Sequence, residues 1–131
     1  MNSDTLVLRQ IHPVLVQSGH IATQAFITSQ AFTPTSKDKG RLSVYKGAKY
    51  SAESAFTHYS EELKLESSGV VAVSVAECEA EGRNVEEDND PFDGHTFIDY
   101  NGLSKGQVRR VAKTLRDRAV HRGWLFQRRE A

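Results

Sequence analysis

The sequence predicts an α+β fold: about five mainly antiparallel strands with two amphipathic helices packed on one face. Three observations lead there. Several segments of five to eight residues are rich in β-branched and aliphatic residues and bounded by Gly, Pro or Ser. Two longer segments carry apolar residues at helical spacing behind an N-capping serine. The elements run in the order βββαββα, with a possible final short strand, which favours helices segregated on an antiparallel sheet over alternating βαβ units.

Thr5 to His12 reads as the first strand, stopped by Pro13. His20 to Ile27 reads as a second, after a turn at Ser18-Gly19. Within this region Thr23-Gln-Ala-Phe26 recurs as Ser29-Gln-Ala-Phe32, an even offset that would put equivalent side chains on one face of an extended chain. Thr33 to Gly40 is polar, contains Pro34 and reads as an exposed loop. Arg41 to Lys46 is the next strand, closed by Gly47.

Behind Ser51, a plausible N-cap, Ala52, Ala55, Phe56, Tyr59 and Leu63 recur on one helical face. Val70 to Glu77 is small or apolar on both faces, as expected of a central strand. Cys78 to Asp93 is acidic and turn-rich. Gly94 to Tyr100 is a further strand, with His95, Phe97 and Asp99 on one side and Thr96, Ile98 and Tyr100 on the other. Ser104-Lys-Gly-Gln107 has the form of a capping box, followed by a Val108, Val111, Ala112, Leu115, Ala119 stripe and by Gly123 at the expected stop. Trp124-Leu-Phe126 can dock on the core or form a last short strand, and residues 127–131 read as a loose tail.

With 131 residues, the chain is expected to form one domain over residues 1–131. No apolar run approaches the ~20 residues of a membrane span, and the N-terminus lacks the pattern of a secretory signal. A single cysteine, Cys78, excludes an internal disulfide framework and a cysteine-cluster zinc site. A reduced, cytoplasmic location without membrane attachment is the expectation.

Lys+Arg and Asp+Glu both number 17, but the charges are segregated. Residues 77–93 hold eight acids against one base, and residues 105–131 hold nine bases against two acids. Glu86, Glu87, Asp88 and Asp90 on one side, and Arg109, Arg110, Lys113 and Arg116 on the other, are the expected binding patches. Complementary charge speeds and orients a protein encounter. The basic helix also suits phosphate-backbone contact, although no aromatic stacking motif accompanies it.

The chemistry-bearing candidates are Arg9 and His12 at the end of the first strand, Ser43 in the strand after the loop, and His95 following Gly94. An Arg holds an anion and a His moves a proton. A shared role requires the four to meet within about 10 Å in one pocket. His95 and Asp99, roughly 13 Å apart along an ideal strand, cannot form a dyad. Ser43 does not lie in Gly-x-Ser-x-Gly, and the alternating Glu77, Glu79 and Glu81 would line one face if their strand continued. The five histidines show no metal-ligand spacing, so no metal or cofactor is expected.

Arg9-Gln-Ile-His12-Pro13, Ser29-Gln-Ala-Phe32, Leu42-Ser-Val44 and His95 with Ile98 resemble the pattern of a group of small bacterial proteins to which no activity is assigned. That likeness nominates Arg9, His12, Ser29, Phe32, Ser43 and His95 as one set. An early-strand Arg9, a middle-strand Ser43 and Glu77-x-Glu79 also resemble the order in Arg-Ser-Glu ADP-ribosyltransferases, whose Ser-Thr-Ser string is absent here. The expectation is a non-catalytic bacterial accessory or interaction protein, such as an immunity, antitoxin or defence-operon component that binds a protein partner through its charged patches. The alternatives are a small enzyme acting on a nucleotide or phosphorylated ligand, or a nucleic-acid-binding module that uses the last helix.

Overall fold

The computed structural model describes residues 1–17 and 25–128. Six strands form one antiparallel sheet: β1 (Leu6–Ile11), β2 (Arg41–Lys46), β3 (Gly69–Ser74), β4 (Val85–Glu87), β5 (His95–Asp99) and β6 (Phe126–Gln127). Their order across the sheet is β4-β5-β2-β1-β3-β6. Three helices accompany them: α1 (Ala52–Thr57), which widens into a π turn over His58–Glu62, α2 (Val75–Ala80) and α3 (Lys105–Arg122).

The α+β class and the antiparallel sheet are as the sequence predicts, but the helices divide between the two faces. On one face Val7, Ile11, Leu42, Val44, Val71, Val73 and Ile98 pack with Val111, Ala112, Leu115 and Ala119 of α3. On the other, Leu8, Tyr45, Val70 and Ala72 pack with Ala55 of α1. The period-2 alternation of β1 and β3 is apolar on both sides, so each face needs its own cover. Leaving either bare would forgo roughly 25 cal/mol for every Å² of apolar surface.

α3 begins where the Ser104–Gln107 capping box satisfies two terminal N–H groups, and ends at Gly123 with φ 84°. Ser51 caps α1, its hydroxyl accepting from the Ser54 N–H.

Several expectations are corrected. The Val70–Glu77 strand stops at Ser74, because Ser74 and Glu77 form a capping box that starts α2. Glu77, Glu79 and Glu81 therefore do not line a strand face. Burial alone would raise the Glu77 carboxyl, but hydrogen bonds from Arg122 and the Ser74 backbone lower it below its ordinary value. The acidic segment is not all turn, since β4 lies within it and pairs with β5.

Most of the expected His20–Ile27 strand lies outside the described residues. Ile27 itself bridges Val16, and Ser29–Phe32 is a 3-10 turn rather than extended chain. The expected tail is paired at its start: Gln127 pairs with Gly69, and the Arg128 N–H donates to the Ser68 carbonyl, while residues 129–131 lie outside the described residues.

Candidate functional site

The ladder between β1 and β2 is short. Only Val7–Lys46 and Leu8–Tyr45 are in register, whereas β1 matches β3 over six pairs and β2 matches β5 over five. Beyond Leu8 and Tyr45 the two strands part, and their facing carbonyls lose strand partners. Arg9 fills this fork. Its Nε donates to the Ala31 carbonyl at 2.7 Å and its Nη1 to the Ser43 carbonyl at 2.8 Å. Burial pulls the guanidinium below its ordinary pKa, and electrostatic attraction to Tyr59, Asp38 and Tyr100 opposes that shift. No carboxylate among the described residues lies within ion-pair distance of it.

The fork opens into a pocket of about 340 Å³. Arg9, Gln10, Ser43, Tyr45 and His95 contribute its sheet side, and Tyr59, Leu63 and Leu65 the wall behind α1. Pro91, Phe92 and Asp38 complete the rim. Tyr45 and Phe92 stack at 4.9 Å between ring centres, and Phe92 meets the His95 ring edge-on at 5.2 Å. The Tyr45 hydroxyl shares a 2.7 Å hydrogen bond with Nδ1 of His58, which the π turn brings over the sheet. Gln10 is 7 % exposed; its Nε2 donates to the Ala55 carbonyl, while its Oε1 has no partner.

Ser43 and His95 share a sheet face because Tyr45 of β2 stands opposite His95 of β5, two residues from Ser43. The Ser43 hydroxyl lies 3.1 Å from His95 Nε2. On the other side of the ring, Nδ1 lies 2.5 Å from Oδ1 of Asp88. A carboxylate only accepts, so Nδ1 carries a proton, and in the neutral imidazole Nε2 accepts from the serine hydroxyl. The backbone N–H groups of Asp88 and Asn89 both donate to the His95 carbonyl at 3.1 Å, which fixes the acid to the strand that carries the imidazole. Gly94 is required beside it: at φ +92° a Cβ would stand 2.7 Å from a Tyr50 ring carbon.

Three of the four expected site residues therefore meet: Arg9, Ser43 and His95. His12 does not. It is exposed beyond the end of β1, and its Nδ1 accepts from the Val14 N–H to cap a 3-10 turn. Ser29 and Phe32 lie in the turn under α3, away from the pocket lining. Glu77 belongs to α2 and pairs with Arg122 at 2.9 Å, so the Arg-Ser-Glu set does not assemble at this pocket. Asp88, expected only as part of an acidic patch, is the residue that completes the site. Its separation from His95 by a reversing loop hides this in the sequence.

Among the described residues, the charged segments meet at one ion pair, Glu77 with Arg122. Glu87 pairs with Lys46 at 2.9 Å, and Glu86 and Asp90 are exposed on the β4 side. On α3, Arg109, Arg110 and Lys113 are exposed and make no ion pair among the described residues. Arg116 is committed to Asp117 and to the Ile27 carbonyl.

No known protein family, no curated protein and no solved structure matches the chain. Among the described residues no helix is long and apolar enough to cross a membrane, and no group of three His, Cys, Asp or Glu side chains could hold a metal ion.

Proposed function

We propose that the chain is a small enzyme acting on an anionic ligand of the nucleotide or phosphorylated small-molecule class. One observation carries the reading: Arg9, a half-buried cation without a carboxylate partner among the described residues, shares a pocket with His95 and Ser43. Burying a cation is costly unless an anion or strong acceptors meet it. Two carbonyls use two of its five N–H donors. The rest suit a phosphate or carboxylate oxygen. His95 supplies the proton-moving group, and the Tyr45, Tyr59 and Phe92 rings offer flat apolar contact to a planar ligand. The pocket volume falls in the ordinary range for small-molecule sites, about 300–1,000 Å³.

The test is a titration with adenosine monophosphate and with inorganic phosphate, followed by NMR of the arginine Nε–H and histidine ring signals. The expected result is a saturable shift at Arg9 and His95, weakened about tenfold or more in Arg9→Gln, the cost of one charge-assisted contact. Unmoved Arg9 and His95 signals, or shifts confined to α3, overturn the reading.

The free basic face of α3 supports a second reading, docking of an acidic protein partner on Arg109, Arg110 and Lys113. Reversing these three charges should abolish capture of a nuclease-resistant partner while leaving the circular dichroism spectrum unchanged. Capture that persists in the reversed variant defeats this reading, and capture lost only on nuclease treatment would assign the face to nucleic acid.

A further inference from the structure

We infer that Ser43 is a nucleophile, activated by His95 and oriented through Asp88, and that the reaction is hydrolysis of a carboxylic ester bearing an anionic group. This rests on the proposed anion-binding pocket and names the chemistry of the same site. The three side chains come from three places: β2, the loop after β4, and β5. Yet they form one chain of hydrogen bonds, Asp88 Oδ1 to His95 Nδ1 at 2.5 Å and His95 Nε2 to Ser43 Oγ at 3.1 Å. The distance from His95 Nε2 to Ser43 Oγ lies within the reach needed for a base to take a hydroxyl proton.

The imidazole is the buried member of the three: the Asp88 side chain is 31 % exposed. Ser43 is exposed, as an attacking atom must be, while His95 is only 9 % exposed and shielded by Phe92. Asp88 is held by backbone bonds to His95 itself, so the carboxylate and imidazole keep their geometry together. Arg9 donates to the carbonyl of Ser43, which places a cation next to the residue whose attack would put negative charge on the ester oxygen. A serine in an ordinary structural role needs neither an oriented imidazole nor a cation at its own carbonyl.

The step balances as follows. The Ser43 oxygen bonds to the ester carbonyl carbon while its proton passes to His95 Nε2. The carbon–oxygen bond to the alcohol then breaks, and the alcohol leaves with that proton. Water gives a proton to His95 and attacks the acyl-serine. The carboxylic acid departs and Ser43 regains its proton. Asp88 is a positioning residue: it keeps the proton on Nδ1 and stabilises the imidazolium.

The probe is a fluorophosphonate, which forms a covalent adduct with an activated serine hydroxyl and releases fluoride. The intact protein is treated at pH 8 and the adduct located by peptide mass spectrometry. Expected are one adduct on Ser43, none in Ser43→Ala, and labelling about a hundredfold slower in His95→Gln. Asp88→Asn should slow labelling, and Asp88→Glu should restore part of the rate. Absence of a Ser43 adduct on folded wild-type protein, or a rate unchanged in His95→Gln, overturns the inference. Each protein is also titrated with inorganic phosphate. Phosphate binding at Arg9 without serine labelling would sink the nucleophile and spare the anion pocket; labelling without phosphate binding would do the reverse. Should His95→Gln fail to fold, the wild-type adduct and its slower formation in Asp88→Asn decide the matter.

Discussion

Arg9 holds the β1/β2 fork open and bonded, so its replacement by leucine should be felt in stability as well as in binding. Arg9→Leu removes two charge-assisted hydrogen bonds, at 2.7 and 2.8 Å. The Ser43 carbonyl faces the open pocket, and water can replace that donor at little cost. The Ala31 carbonyl is partly buried, and leaving such an acceptor unpaired costs about 1–3 kcal/mol. Removing a desolvated charge gives some of this back, and the leucine side chain retains part of the apolar contact. The net expectation is a loss of about 2 kcal/mol, which at roughly 4 °C per kcal/mol for a chain of this size lowers Tm by about 8 °C. Arg9→Lys reaches one carbonyl only and should lose about half as much. Urea denaturation followed by circular dichroism measures both. A midpoint unchanged in Arg9→Leu would show that the guanidinium does not bridge the fork, and the electrostatic argument for the pocket would fall with it.

Three further expectations follow from the same packing. Gly94→Ala forces a left-handed φ on alanine and drives its methyl into the Tyr50 ring, so a loss of about 2–4 kcal/mol is expected, with a displaced His95 ring resonance; an unaffected melting curve would contradict it. Tyr45 and Tyr100 are held above the usual phenol range, first by burial, to which Tyr50, Tyr59 and Glu62 add at Tyr45, and which Arg9 and Arg83 oppose at Tyr100. The folded state therefore favours the protonated phenols, so their contribution is complete below the unfolded value near pH 10 and is lost as pH rises above it. The urea midpoint should fall between pH 9 and about 11, less steeply in Tyr100→Phe; a flat midpoint would refute this. Burial pushes the Cys78 thiol up to about 12, so it should resist a disulfide reagent at pH 8 and react only at the rate of opening, rising with urea; immediate stoichiometric reaction would place the thiol at the surface.

Local physics made most of the elements legible. The β1, β2 and β5 strands, the α1 stripe and the capping box of α3 all depend on neighbours in the chain: side-chain alternation, helical spacing, and a serine that bonds the N–H three residues on. The same local rule applies at Ser74–Glu77, yet the apolar run through Val75 outweighed it and extended β3 too far. Arg9, Ser43 and His95 were legible as residue types at strand positions. His12 was not separable from them, because one residue past a strand end the chain turns and aims the side chain elsewhere.

By itself the sequence determined the α+β class, the strand and helix faces, the segregation of charge and three of the polar groups at the pocket. Only the tertiary structure decided which face each helix covers, where β1 leaves β2, and that Asp88 stands against His95 and His95 against Ser43. The physical reason is that alternation and capping act over two to four residues, whereas strand order and register bring together groups 7 and 52 residues apart. A hydrogen bond requires placement to within a few tenths of an ångström, and the sheet pairing of β2 with β5, together with the backbone bonds of the 88–89 turn, supplies that placement.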